Sequence, residues 1–114
     1  MDNDSAFRPA GQCVPIDAPT SSPPTGILLG ATTQTGEMSV MVFNGGTNLG
    51  WLAYGPSAAQ AQANAVAPTG TTAETVLPIP PGTIQTFTFN WQTYFSALAV
   101  TGSTYIYLIP GEGV

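Results

Sequence analysis

Ser103-Thr104-Tyr105-Ile106-Tyr107-Leu108-Ile109 decides the fold. Its β-branched and aromatic residues fit the pleated, half-buried surface of a strand. Gly102 precedes the run and Pro110-Gly111 follows it, so the predicted strand covers residues 103–109 and ends at that turn pair. Alternate residues of a strand share a face. One face carries Tyr105, Tyr107 and Ile109, and the other carries Thr104, Ile106 and Leu108. An antiparallel sheet with one wet face alternates apolar with polar residues, but this strand is apolar on both sides. Either it lies at the centre of a core or its outer face meets another subunit. In so small a domain the second explanation gains weight.

Upstream the same pattern repeats. Residues 94–100 form an apolar run closed by Gly102, and residues 83–89 are rich in Thr, Ile and Phe. Residues 75–79 are stopped by Pro80-Pro81-Gly82. Residues 37–43 are closed by Asn44-Gly45-Gly46, a turn sequence that supplies positive φ, and residues 49–54 follow at hairpin distance before Gly55-Pro56 breaks them. Residues 27–31 are a short candidate strand. Short strands at intervals of about 8–12 residues with turn signals between them indicate a sandwich or barrel. The expected fold is all-β: a small antiparallel β-sandwich, jelly-roll-like. Residues 57–66, SAAQAQANAV, differ from the rest. Ala and Gln favour helix and Pro56 suits a first helical position, so a helix of one or two turns, or a loop, is expected on the sheet's edge.

Residues 1–26 read differently from residues 27–114, which are taken as the sandwich domain. The first 26 hold five of the eleven prolines (Pro9, Pro15, Pro19, Pro23 and Pro24) and scatter their apolar residues without period. Each proline removes a donor and fixes φ. An extended N-terminal arm, partly polyproline II, is expected, and its natural use is as a strap laid on a neighbour. Deleting residues 1–24 is then expected to leave the β domain folded.

The 114 residues include one Arg, no Lys, no His and six acidic residues, while 43% are hydrophobic. An ordinary soluble domain is about a quarter charged; this one is 6% charged. Disordered chains pair low hydrophobicity with high net charge, the opposite combination. Charge is also sorted. Asp2, Asp4, Arg8 and Asp17 lie in the arm, which leaves Glu37, Glu74 and Glu112 for the whole β domain.

These counts exclude function classes. Phosphate binding draws its affinity from Lys and Arg, so nucleic acid is not an expected partner, and the same sign argues against anionic membrane surfaces. Hydrolytic triads need a base beside the nucleophile, and the chain offers neither His nor Lys. No spacing among the carboxylates favours a glycosidase pair, and no phosphate-cradling glycine motif occurs. Cys13 stands alone, without an intrachain disulfide partner or a zinc set. The expected protein is not an enzyme, carries no cofactor and binds no metal. Its acidic start lacks the basic region of a signal peptide, and no apolar run approaches the roughly 20 residues of a membrane span. Synthesis in a cytoplasm is therefore expected, with the chain soluble until it assembles or is released.

What remains is contact chemistry. Trp51, Tyr54, Trp91 and Tyr94 have three readings: core filling, a subunit interface, or a stacking platform for sugars. Arg8 suits a planar, bidentate contact with a carboxylate on a neighbour, or is solvated. The candidate partner contacts are Arg8, Pro23, Pro24, Trp51, Tyr54, Trp91, Tyr105 and Tyr107.

Several phrases carry a resemblance. They are Val42-Phe43-Asn44-Gly45-Gly46, Trp51-Leu52-Ala53-Tyr54-Gly55-Pro56-Ser57-Ala58-Ala59, Leu77-Pro78-Ile79-Pro80-Pro81-Gly82, and the ending Ser103-Thr104-Tyr105-Ile106-Tyr107-Leu108-Ile109-Pro110-Gly111-Glu112-Gly113. From Met41 onward the chain resembles small virion proteins of tailed bacteriophages, of the head decoration or cement type. The pattern is one of turns and strands, not a catalytic signature, and the arm lies outside it. The resemblance implies a subunit that binds the outside of a capsid and clamps neighbouring capsomers. Its partners would be the major capsid protein and copies of itself, as dimer or trimer. Its location would be the capsid exterior of the virion. A tail or head-fibre component and a carbohydrate-binding adhesin module are the alternatives.

Overall fold

The computed structural model describes residues 7–112. Nine strands and one helix follow in order: β1 (Arg8–Pro9), β2 (Val14–Ala18), β3 (Ile27–Leu28), β4 (Glu37–Asn44), β5 (Gly50–Gly55), α1 (Ala58–Ala63), β6 (Val76–Ile79), β7 (Ile84–Asn90), β8 (Tyr94–Ala99) and β9 (Thr104–Glu112). They form two antiparallel sheets. The first has the order β2-β9-β4-β7, with β1 also against β9, and the second has the order β3-β8-β5-β6. The pairings are nested: β2 with β9, β3 with β8, β4 with β7 and β5 with β6. That nesting, split over two packed sheets, is the jelly roll.

Inner faces follow from side-chain alternation. Met38, Val40 and Val42 of β4, Ile106 and Leu108 of β9, and Ile16 and Ala18 of β2 meet Leu52, Ile79, Phe95, Ala97 and Ala99 of the second sheet. Phe89 packs edge-on against Phe95 with centroids 4.9 Å apart, and Tyr54 lies 5.4 Å from Phe89. These rings and the buried Trp91 close one end of the sandwich. Burying each large aliphatic side chain contributes about 1.5–3 kcal/mol.

The predicted strands are present, with three differences. First, no hairpin joins β4 to β5. They lie in different sheets, and neither Gly45 nor Gly46 has positive φ. The glycines serve close approach instead. A Cβ on Gly46 would strike Thr104, and one on Gly45 would stand 2.6 Å from the Tyr107 ring.

Second, β9 runs through Pro110 to Glu112. Pro110 O accepts from Ala10 N–H (2.9 Å), so the residue's missing donor faces the arm and not β4. The arm bulges there. Residues 10–13 lie opposite only Ile109 and Pro110, between the pairs Pro9↔Gly111 and Val14↔Leu108.

Third, part of the arm is a strand of the domain. It is extended as expected, but Val14–Ala18 pairs along β9 and puts Ile16 and Ala18 into the core. The packed unit therefore starts before residue 27. Pro15 disguised the strand, because proline is tolerated only where the sheet has an edge.

From β2 the chain crosses to the second sheet. Pro19 O accepts from Ala99 N–H at 2.9 Å, and Pro24 O accepts from Ser96 Oγ at 2.6 Å. Helix α1 is capped by Ser57, whose Oγ accepts from Gln60 N–H, so Pro56 precedes the cap and does not open the first turn. The helix lies on the outer face of the second sheet, not on its edge. Gly55 and Gly26 give it room, since a Cβ on either would meet the helix backbone at about 3 Å.

Candidate functional site

Among the described residues no group of three or more His, Cys, Asp or Glu could hold a metal ion. The buried polar residues are Ser39, Asn44, Ser96 and Thr104, none of them ionisable, and no described buried side-chain polar atom lacks a partner. Among the described residues no helix is long and apolar enough to cross a membrane. Cys13 is exposed.

The candidate contacts fall in five places. Tyr105 and Tyr107 lie on the outer face of the first sheet. Residues missing from the sequence-based set join them there, because the register places Met41 beside Ile109 and Phe43 beside Tyr107. Phe43 and Tyr107 stack with centroids 6.1 Å apart and planes 24° apart. Tyr105 is 53% exposed, and Ile84 of β7, on the same face, is 62% exposed. Extending the alternation argument from β9 to β4 would have found this row: Met41 and Phe43 have the parity of the exposed Glu37.

Trp51 lies on the outer face of the second sheet, in one cross-strand row with Leu98 and Pro78. Val100, beyond β8, is 63% exposed. Trp91 is only 8% exposed and belongs to the core. Tyr54 is half-buried against the core, and Tyr94 is half-buried on β8. The four aromatics therefore do not converge on one platform.

Arg8, Pro23 and Pro24 are engaged within the chain. Arg8 pairs with Glu112 at 3.3 Å, with both side chains mostly exposed; a pair so solvated contributes little. Pro23 O accepts from Gln62 Nε2 at 2.8 Å, and Pro24 O holds Ser96. The two prolines thus fasten the crossing segment over α1 and β8.

Asn44 was legible only as a turn residue, yet it organises one end of the sandwich. Its Nδ2 donates to Asn48 O (2.8 Å) and Ile79 O (2.7 Å). Its Oδ1 accepts from Gly46 N–H (3.0 Å) and Thr104 Oγ1 (2.6 Å). One fully buried amide thereby ties β4, β6, β9 and the 45–49 crossing, across both sheets.

Two open depressions mark the surface. One, of about 480 Å³, is lined by Tyr54, Gly55, Pro56, Asn90, Gln92 and Thr93. The other, of about 240 Å³, lies beside Asp17, Ser103 and Tyr105. The first is lined by no carboxylate, and the second holds one, Asp17, beside the hydroxyls of Ser103 and Thr104. Comparison of the chain with protein-family models, with curated proteins and with solved structures found no match.

Proposed function

We propose that this chain is a structural virion protein, a decoration or cement subunit that binds the outer surface of a bacteriophage capsid and stabilises contacts between major capsid subunits. The observation that carries the reading is the outer face of the first sheet. Tyr105, Tyr107, Phe43, Met41 and Ile109 make an aromatic and methionine surface of the kind enriched at protein interfaces. It stands on a rigid sheet in a chain with one cation and six acids. The resemblance of residues 41–113 to phage head proteins supplies the partner: the major capsid protein, with copies of the chain itself alongside. Repetition over a shell multiplies modest contacts into firm attachment.

The test is to add purified protein to capsids that lack it, then measure bound copies per particle by gel densitometry and locate them by cryo-electron microscopy. Density repeated with the symmetry of the shell supports the reading. No binding, or binding at the tail or a single vertex, overturns it, and the tail location would favour the tail or head-fibre alternative. The adhesin alternative would show as binding to a glycan array by protein that ignores capsids.

A further inference from the structure

The two sheets have four outer edges, and three are blunted. β2 carries Pro15 and Asp17, with the bulge of residues 10–13 just before it. β3 is two residues long, and β6 is four residues long and contains Pro78. Proline, charge, brevity and bulges are the devices by which proteins stop a sheet edge from pairing with another chain. β7, at the fourth edge, has none of them: Ile84-Gln85-Thr86-Phe87-Thr88-Phe89-Asn90, seven residues without proline, glycine or charge.

The backbone groups on that edge can be assigned. Asn44 N–H donates to Thr83 O just before β7, and Trp91 N–H donates to Gly36 O just after it. Backbone direction alternates along a strand. Gln85, Phe87 and Phe89 therefore turn their N–H and C=O toward β4, and Ile84, Thr86, Thr88 and Asn90 turn theirs outward. Among the described residues only Asn90 O of that outward set has a partner, Thr93 N–H.

We propose that β7 pairs antiparallel with β7 of a second copy of this chain, about a two-fold axis at Phe87. Only that register overlaps all seven residues. It sets Thr86 against Thr88 of the other copy, twice, as hydrogen-bonded pairs, and Ile84 against Asn90. Phe87, the central pair, is half-buried and lies 6.2 Å from Phe89. The two Phe87 rings meet beneath the joined sheet, where an aromatic contact adds to the backbone bonds. The strand carries no charge to repel its copy. Joining the edges makes one sheet of order β2-β9-β4-β7-β7-β4-β9-β2 and sets the two outer aromatic faces side by side. Seven residues a side is fewer than the roughly 20–30 of a standard interface, so the dimer is reversible and dissociates on dilution. The pairing rests on edge geometry and stands independently of the virion reading.

Sedimentation equilibrium of the purified full chain, from about 1 µM to 1 mM, should show a monomer–dimer equilibrium. Thr88→Pro removes an outward N–H and no bond to β4. It should weaken association at least about tenfold, since each dimer loses two hydrogen bonds. Thr86→Lys with Thr88→Lys sets like charges opposite each other and should give the same loss without any backbone change, which covers the case of a proline variant that fails to fold. A wild-type chain that stays monomeric throughout, or a dimer that persists in the folded double-lysine variant, overturns the proposal.

Discussion

Exchanging the Asn44 amide for a carboxylate, Asn44→Asp, keeps the shape of the side chain and reverses two of its hydrogen bonds. Nδ2 donates to Asn48 O and Ile79 O at 2.8 and 2.7 Å in a fully buried position. In the variant an acceptor faces those two carbonyls. Each buried polar group left without a partner costs about 1–3 kcal/mol, so the expected loss at neutral pH is roughly 4 kcal/mol, against a total stability of about 5–15 kcal/mol. The loss depends on pH. Burial against two carbonyl oxygens disfavours the charged form, so the folded-state pKa of the new carboxyl lies above its unfolded value of about 3.9. The variant's stability is then fully present below about pH 4 and falls as pH rises toward the raised folded pKa. Guanidinium titrations followed by Trp fluorescence measure this directly, because Trp91 is buried in the core. With slopes of roughly 2–6 kcal/mol/M, the midpoint should drop by about 1 M at pH 7 and recover part of that at pH 3. A variant within about 0.2 M of wild type at pH 7, or a deficit that does not shrink in acid, would refute the role given to Asn44.

Other perturbations probe the rest of the structure. Deleting residues 1–24 removes β2 together with Ile16 and Ala18 from the core, and near-UV circular dichroism should show lost tertiary packing; deleting residues 1–9 should leave that signal intact. Leu108→Ala empties a fully buried site on β9 and should cost about 2–5 kcal/mol in urea titrations. Gly46→Ala drives a Cβ into Thr104 and should cost about 1–3 kcal/mol, with Thr104→Ser recovering little because the Oγ remains. Tyr105→Lys, on the exposed face, should change stability by less than about 0.5 kcal/mol while lowering capsid occupancy in the binding assay.

Much of the sandwich was legible because its strands obey local rules. Residues 37–43, 83–89 and 94–100 are β-rich runs bounded by glycine, proline or asparagine, and each became a strand within a residue or two of the expected bounds. What escaped was non-local. β2 holds Pro15 and only two buried apolar residues, so nothing in its own text distinguishes it from a tail; its partner β9 makes it a strand. Asn44-Gly45-Gly46 reads as a hairpin turn, and only the proximity of Thr104 and Tyr107 reveals that the glycines are spacers. The contact residues divide in the same way. The parity of β9 puts Tyr105 and Tyr107 on one face but, with apolar residues on both, not on the outer one; that, like Trp51 outside and Trp91 inside, is a matter of how two sheets face each other.

Successive strands from β2 to β5 alternate between the sheets, and the first sheet closes only when β2 meets β9. Arg8 and Glu112, joined there, stand 104 residues apart in the chain. A ribosome must therefore make every strand from β3 to β8 before β2 has anything to pair with. No early fragment owns a complete sheet, and the core has no lid until the last strand arrives. Folding is slow in the manner of proteins whose contacts are mostly distant, and Val40, Val42 and Leu52 wait for strands made later, β9 and β8, to pair with their own. The outer aromatic face, made by β4 and β9 together, exists only once that last strand has paired.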